Sequence, residues 1–146
     1  MKALSPGIND TTTAVMCVDY LAAILTRLAK RRIGTAHGLE QGELRVIARG
    51  PTFEGLLSEA FDQIRQHAES NVAILLRLLG ALHAIAGVTI SPNRRRVIQQ
   101  KVEEIAEAAG RSIASPHDRD RLANRLMRVR DALMAHPVSF VRTNQN

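Results

Sequence analysis

Apolar residues recur along most of the chain at the three- and four-residue spacing of amphipathic helices. The first run predicts a helix from Thr11 to about Arg31, capped by Asn9 or Asp10 after a Pro-Gly turn. Its predicted buried face consists of Val15, Val18, Leu21, Ala22, Leu25 and Leu28. A second amphipathic run begins at Thr52, which is predicted to cap it.

The most apolar run predicts the centre of a helical bundle. From Asn71 to about Ala86, apolar side chains surround nearly the whole circumference, as is typical of a helix packed on all sides. Ser70 is predicted to cap this helix, and Gly87 is predicted to end it.

Two Ser-Pro pairs, at 91–92 and 115–116, predict the starts of the last two helices. Serine caps such a helix, and proline suits its first turn because no backbone N–H is needed there. The fourth helix is predicted to reach about Ala109, with Gly110 beyond it, and the fifth to end near His136. Residues 137–146 read as a loose C-terminal tail.

One segment departs from the helical pattern. Apolar and polar residues alternate over residues 43–49, which predicts a short strand. Its partner is either the preceding loop, folded back as a hairpin, or a segment outside this chain. The expected fold is therefore all-α in the main: about five helices around a central apolar one, with a short strand or hairpin near 43–49, in a single soluble domain over residues 1–146.

Charge and composition narrow the choice of partners. The net charge is +6, and residues 91–146 contain eleven Lys/Arg against six Asp/Glu. Such a surface favours nucleic acid, anionic lipid or acidic protein, although a simple solvated surface is an equal alternative. Aromatic residues make up only 3% of the chain and Trp is absent, which argues against base-stacking platforms.

The basic excess is concentrated in the last predicted helix. Arg121, Arg125 and Arg128 are the candidate contacts to an anionic surface. The alternative is a solvated helix face whose charge is partly offset by neighbouring aspartates. Asn124 is the only side chain there suited to reading base edges, so specific DNA recognition is not expected.

The entry to the first helix is the most unusual polar stretch. Ser5, Asn9, Asp10 and Thr11 place hydroxyl, amide and carboxylate groups at a helix N-terminus, and they form a candidate polar ligand or interaction site. Helix capping alone is the favoured alternative, because it accounts for Asn, Asp and Thr at these positions.

No catalytic, metal or cofactor motif is recognisable. The five histidines lack ligand spacing, and Glu103, Glu104 and Glu107 have basic neighbours that suggest surface ion pairs. Cys17 lies mid-helix among apolar residues, which predicts a buried, inert thiol. We therefore expect no metal and no cofactor, and a non-enzymatic role.

Two sequence signatures resemble a known family. The first is the octet at residues 3–10, Ala-Leu-Ser-Pro-Gly-Ile-Asn-Asp, followed by Thr13-Ala14 and Asp19-Tyr20-Leu21. The second is Pro51-Thr52-Phe53 with the segment at residues 60–66. Over residues 3–135 the chain resembles the C-terminal soluble part of predicted bacterial membrane proteins, domain of unknown function 2254. Members usually have proline where this chain has Thr11.

The resemblance implies that the chain is part of a longer inner-membrane protein, with transmembrane helices before the octet. Together with the basic C-terminal third and the missing catalytic set, the resemblance favours a soluble regulatory or assembly domain, and the positive charge favours the cytoplasmic side. Expected partners are the transmembrane part of the same protein, a second copy in a homo-oligomer such as a two-fold dimer, and an anionic lipid surface. The alternatives are a stand-alone basic module that binds nucleic acid or acidic partners, and an enzyme whose site is completed by sequence outside this chain.

Overall fold

The computed structural model describes residues 10–31, 37–40, 43–46, 52–68 and 70–135. Within these ranges the chain forms five helices and a two-stranded hairpin. In chain order they are α1 (Thr11–Lys30), β1 (His37–Glu40), β2 (Glu43–Val46), α2 (Phe53–His67), α3 (Val72–Val88), α4 (Pro92–Ser112) and α5 (Pro116–Met134). The predicted mainly helical fold is confirmed, whereas the predicted tail at 137–146 lies outside the described residues.

Each helix begins at a side chain that accepts a hydrogen bond from a backbone N–H of the first turn. Four of these N-caps are the predicted ones: Asp10, Thr52, Ser91 and Ser115. The prediction of Ser70 for α3 was wrong by one residue. Asn71 is the cap, because its Oδ1 accepts the N–H of Ile74 at 3.3 Å.

Two helices extend past the glycines that were predicted to end them. Helix α3 runs to Val88 and α4 to Ser112, so Gly87 and Gly110 both lie inside helices. The terminal carbonyls find other donors: the Thr89 hydroxyl, for example, donates to the Ile85 carbonyl at 2.6 Å. A left-handed glycine is one way to end a helix, and side-chain donors can replace it.

Helix α3 is the central element, as its apolar sequence predicted. It packs against all four other helices, whereas α1 and α5 do not contact each other and flank it on different sides. Its core side chains are fully buried: Leu75, Leu78, Leu79, Leu82 and Ile85. Burial of each such side chain contributes roughly 1.5–3 kcal/mol to folding, so α3 provides the largest share of the core.

The strand predicted near residues 43–49 is part of a hairpin. β1 and β2 pair antiparallel, with His37 opposite Val46 and Glu40 opposite Glu43. Of the two alternatives left by the sequence, pairing with the preceding segment is the correct one for His37–Glu40 and Glu43–Val46. Residues 47–49 lie outside the described part of the chain.

Arg95 ties three helices together at one end of the bundle. Its Nη1 donates to the carbonyls of Ala86 and Thr89 at 3.0 and 2.8 Å, at the end of α3. Its Nη2 donates at 2.7–3.0 Å to three carbonyls at the end of α5: Ala132, Leu133 and Ala135. A cation placed on these carbonyls also complements the negative ends of both helix dipoles.

Arg94 binds the C-terminal end of α1 in the same way. Its Nη1 donates to the carbonyl of Arg31 at 2.9 Å, and its guanidinium carbon lies 5.2 Å from the centre of the Phe53 ring. The C-terminal ends of α1, α3 and α5 therefore converge on the first turn of α4.

Candidate functional site

The polar entry to α1 is held together by hydrogen bonds within the bundle. Asp10 Oδ1 accepts the N–H of Thr12 at 3.0 Å, and Oδ2 accepts the hydroxyl of Thr13 at 2.7 Å. The hydroxyl of Thr11 accepts a hydrogen bond from Asn71 Nδ2 at 3.0 Å. The N-terminal ends of α1 and α3 are thereby fixed to each other.

These bonds show what two of the four candidate polar residues do structurally. Asp10 caps α1, and Thr11 joins α1 to the cap of α3. Ser5 and Asn9 lie outside the described residues. That the four residues together bind a polar ligand stays a prediction.

A cavity of about 460 Å³ lies between α1, α2 and the start of α3. That volume falls in the range of small-molecule pockets. Its walls are mainly apolar, and its polar lining comes from Thr13 and Cys17 on α1 and from Glu59, Gln63 and His67 on α2. The imidazole Nδ1 of His67 lies 2.7 Å from the carbonyl of Gln63, so part of this polar set is satisfied within α2.

The prediction that Cys17 is a buried thiol was wrong. Cys17 is exposed and lines the cavity. Its neighbour Val18 is fully buried, and the two positions differ by one residue's rotation, about 100° around the helix axis. Cys17 therefore falls just beyond the strip of α1 that the bundle covers.

The outer face of α1 is apolar at its centre. Met16, Tyr20 and Ile24 are 53, 70 and 55% exposed, and successive spacings of four residues place them in one row. Only Val18, Leu25 and Ala29 of this helix are buried. Three large apolar side chains in one exposed row are typical of a surface that another molecule covers.

The same face becomes basic towards the end of α1. Arg27, Lys30 and Arg31 are all exposed, and no carboxylate among the described residues pairs with any of them. We call the exposed row and these three residues together the α1 outer face. Asp19, at its edge, is held by Arg77 of α3, whose Nε and Nη2 donate to its two oxygens at 2.5 and 2.6 Å.

The predicted arginine contacts on α5 have different surroundings. Arg121 lies 3.5 Å from Asp118 in an ion pair along the helix. Arg125 is half-buried and Arg128 is exposed, and neither has a carboxylate partner in the part of the chain that the structure describes. The flanking arginines are committed elsewhere: Arg119 donates to the carbonyl of Ile113, and Arg130 to Glu103. The anionic-surface contact stays a prediction for Arg121, Arg125 and Arg128.

Three carboxylates have pKa values below their usual range because of hydrogen bonds. The Thr13 hydroxyl, followed by the Thr12 N–H, lowers the pKa of Asp10. The Arg77 guanidinium lowers the pKa of Asp19, and the Arg130 guanidinium lowers that of Glu103. The ion pair of Asp19 joins α1 to α3, and that of Glu103 joins α4 to α5, so these two carboxylates contribute to helix packing.

Two buried polar atoms have no hydrogen-bond partner among the described residues, Arg65 Nε and His83 Nδ1. No group of three or more His, Cys, Asp or Glu side chains that could hold a metal ion occurs in the described ranges. Two glutamates of α4 pair with basic sequence neighbours, as predicted: Glu104 with Lys101 and Glu107 with Arg111. Glu103 instead pairs with Arg130 of α5, 27 residues away.

Helix α1 also has the length and composition of a membrane segment. Among the described helices it alone is long and apolar enough to cross a bilayer by those two criteria. It is a member of the bundle, since it packs on α2 and α3.

Comparison with known proteins identifies the class. The family model described as predicted membrane protein (DUF2254) matches residues 1–84, which is more than half of the chain. The chain belongs to this family of predicted membrane proteins, as its sequence signatures suggested. No solved structure matches the chain at a significant level.

The similar relatives are mycobacterial. Uncharacterized protein Mb1321c of Mycobacterium bovis and uncharacterized protein Rv1290c of Mycobacterium tuberculosis are each 32% identical to the chain over 120 residues. The match covers 82% of this chain and 23% of each relative. The chain therefore spans less than a quarter of the length of the curated relatives it matches.

Proposed function

We propose that this chain is a soluble regulatory or assembly domain of a multi-span bacterial membrane protein, facing the cytoplasm. One observation carries the proposal. The chain belongs to a family of predicted membrane proteins and spans less than a quarter of the length of its curated relatives, and it forms a bundle with its own buried core and a charged outer surface on α4 and α5.

The surface of α4 and α5 supports the soluble part of the proposal. Ion pairs on it include Glu107 with Arg111 at 2.8 Å, within α4, and Glu103 with Arg130 at 2.6 Å, between the two helices. Charged side chains on a lipid-facing surface are strongly unfavourable, because the hydrocarbon cannot solvate them. This side of the bundle is suited to water.

Three carboxylates of the bundle act in capping and helix packing, which supports a role in regulation or assembly. Asp10, Asp19 and Glu103 are engaged in a helix cap and in two bidentate ion pairs. Groups so engaged hold helices together and are poorly placed for proton transfer to a substrate. The excess of basic residues favours the cytoplasmic side, where the membrane surface carries anionic lipid.

The test is to express the natural reading frame with a tag after Asn146 and to separate membranes from soluble protein. We expect the tagged protein to stay in the membrane fraction after an alkaline carbonate wash. The 146-residue chain expressed alone is expected to be released into the soluble fraction by the same wash. Protease should remove the tag in inverted vesicles and spare it in intact spheroplasts.

Recovery of the full-length protein in the soluble fraction would overturn the proposal. Cleavage of the tag in spheroplasts alone would place the domain on the other side of the membrane and refute the cytoplasmic orientation.

A stand-alone basic module is the second candidate, favoured by the two α5 arginines without a carboxylate partner, Arg125 and Arg128. Tighter binding to duplex DNA than to anionic vesicles, with a steep loss of affinity at higher salt, would favour it. Loss of that binding in the Arg125→Gln, Arg128→Gln variant would assign it to these residues.

A further inference from the structure

We infer that the α1 outer face docks on an anionic lipid surface. In this arrangement Met16, Tyr20 and Ile24 enter the boundary between headgroups and acyl chains, and the basic end of the helix contacts lipid phosphates. The inference deepens the proposed function, on which it rests, by naming a partner and the surface that meets it.

The geometry of the face suits a helix lying in the plane of a membrane. Met16, Tyr20, Ile24 and Arg27 follow one another at spacings of four, four and three residues, so they share one side of α1, and Arg31 is the C-cap at the end of that helix. At 1.5 Å per residue the helical row extends about 16 Å. An apolar row on one side of a helix, joined to basic residues, is the pattern of interfacial membrane helices.

The inner side of α1 fixes how the helix can meet lipid. Val18 and Leu25 are buried in the core, and Asp19 is clamped by Arg77 of α3. Helix α1 can therefore present its outer face while the bundle stays folded. The bidentate clamp also neutralises Asp19, the acidic side chain at the edge of the face.

The basic residues of the face determine which kind of lipid it prefers. Arg27, Lys30 and Arg31 extend from the end of α1 without a carboxylate partner among the described residues. The carbonyl of Arg31 is already occupied by Arg94, so the Arg31 backbone is held in place while its side chain stays exposed. Three clustered cations favour an anionic bilayer over a zwitterionic one.

The same charges count against a second copy as the occupant. A two-fold axis at Tyr20 would place Lys30 of one chain opposite Asp10 of the other. The Asp10 carboxylate already accepts hydrogen bonds from Thr12 and Thr13. One engaged carboxylate cannot balance three cations, so a dimer through this face would retain repulsion between like charges.

The experiment is sedimentation of the 146-residue chain with vesicles of phosphatidylcholine mixed with phosphatidylglycerol, and with vesicles of phosphatidylcholine alone. The chain has one tyrosine and no tryptophan, so its intrinsic emission reports on Tyr20 in the centre of the face. We expect binding to the anionic vesicles, with Tyr20 protected from acrylamide quenching. Binding to the zwitterionic vesicles should be about tenfold weaker or more.

Two variants separate the apolar and the basic contributions. The Met16→Ser, Ile24→Ser variant keeps Tyr20 as the reporter, and the Arg27→Gln, Lys30→Gln, Arg31→Gln variant removes three charges. We expect each to weaken vesicle binding about tenfold or more. All five positions are exposed, so circular dichroism and the melting temperature should show an unchanged fold.

Helix α5 offers the matched control. The Arg121→Gln, Arg125→Gln, Arg128→Gln variant removes the same net charge from the surface that the sequence alone singled out. Binding unchanged in this variant supports the α1 face. Equal weakening in both triple variants would show attraction by net charge alone, and weakening confined to the α5 variant would move the contact to α5; either result overturns the inference.

Two further outcomes would also overturn it. One is the absence of binding to anionic vesicles. The other is a lipid-free dimer that the Met16→Ser, Ile24→Ser variant converts to a monomer, measured by light scattering, because the face would then belong to a second copy. Neither outcome refutes the proposed function, which depends on membrane fractionation of the full-length protein.

Discussion

Helices α1 and α5 flank the same central helix and present opposite kinds of surface. The exposed row of α1 is apolar over Met16, Tyr20 and Ile24, whereas the exposed side of α5 is mostly polar or charged, with Met127 and Met134 as its large apolar exceptions. Both helices use their buried side to pack on α3. The difference between them is the one that the inferred docking of α1 on lipid requires, with α5 in contact with water.

The two helices are also fastened in parallel ways. A bidentate arginine–carboxylate pair joins α1 to α3, and another joins α5 to α4. At their C-terminal ends, Arg94 holds α1 and Arg95 holds α5. Because each helix has its own ion pair and its own arginine, a substitution in one set should loosen that helix and leave the other in place.

Leu78→Ala is expected to have the largest effect on stability, because Leu78 lies fully buried in α3, against which both α1 and α5 pack. Removing this side chain leaves a cavity and should lower the free energy of unfolding by about 3 kcal/mol. Urea denaturation checks this value. Met127→Ala on the exposed side of α5 is the control, and a comparable loss there would contradict the central position of α3.

Arg95→Ala should loosen α5 while leaving α1 in place. Five carbonyls at the ends of α3 and α5 lose their hydrogen bond from the Arg95 guanidinium, which should cost about 2–3 kcal/mol of unfolding free energy. Amide hydrogen exchange should accelerate in the last turn of α5 and stay unchanged in α1. The exposed neighbour Arg96 gives the control variant Arg96→Ala, which should differ little from the parent chain.

Acid should destabilise both bidentate pairs. The pKa values of Asp19 and Glu103 are lowered in the folded chain, so the stability they add is present above the unfolded carboxyl pKa, about 4. It is lost as the pH falls through the lower, folded values. The melting temperature should therefore drop between about pH 5 and about pH 2.

Asp19→Asn and Glu103→Gln separate the two contributions. Each variant should be less stable than the parent chain near neutral pH and should show a flatter dependence of melting temperature on pH. An unchanged slope in both variants would show that neither pair contributes to acid sensitivity.

Cys17→Ser should have the smallest effect, within about 0.5 kcal/mol, because its side chain is exposed. A thiol reagent should modify Cys17 in the native chain at a rate close to that in urea. Strong protection of the native thiol would show that Cys17 is buried, as the sequence predicted, and would contradict the structure.

Local signals made most of the fold predictable. A capping side chain and its N–H partner lie two or three residues apart, so Asp10, Thr52, Ser91 and Ser115 were recognisable from sequence. The central position of α3 was also predictable, because a helix that is apolar on all sides must be buried on all sides.

Contacts between distant segments were not predictable. The three arginines at 94–96 form a uniform basic run in sequence, but the first two bind carbonyls of other helices and the third is exposed. The partners of Arg94 and Arg95 lie as far as 65 and 40 residues away. The apolar neighbours of Cys17 in sequence also gave a wrong prediction of burial, because adjacent residues of a helix lie about 100° apart and do not share a face.

The most direct test compares the two flanks in the full-length protein in its own membrane. In a Cys17→Ser background, Ala23→Cys places a thiol on the exposed side of α1, next to Tyr20 and Arg27 of the outer face, and Asn124→Cys places one on the exposed side of α5. Inverted vesicles are treated with a membrane-impermeant maleimide before and after detergent. We predict rapid labelling of Asn124→Cys throughout, and labelling of Ala23→Cys only after detergent. Equal labelling of the two thiols before detergent would contradict a lipid-docked α1 beside a water-facing α5.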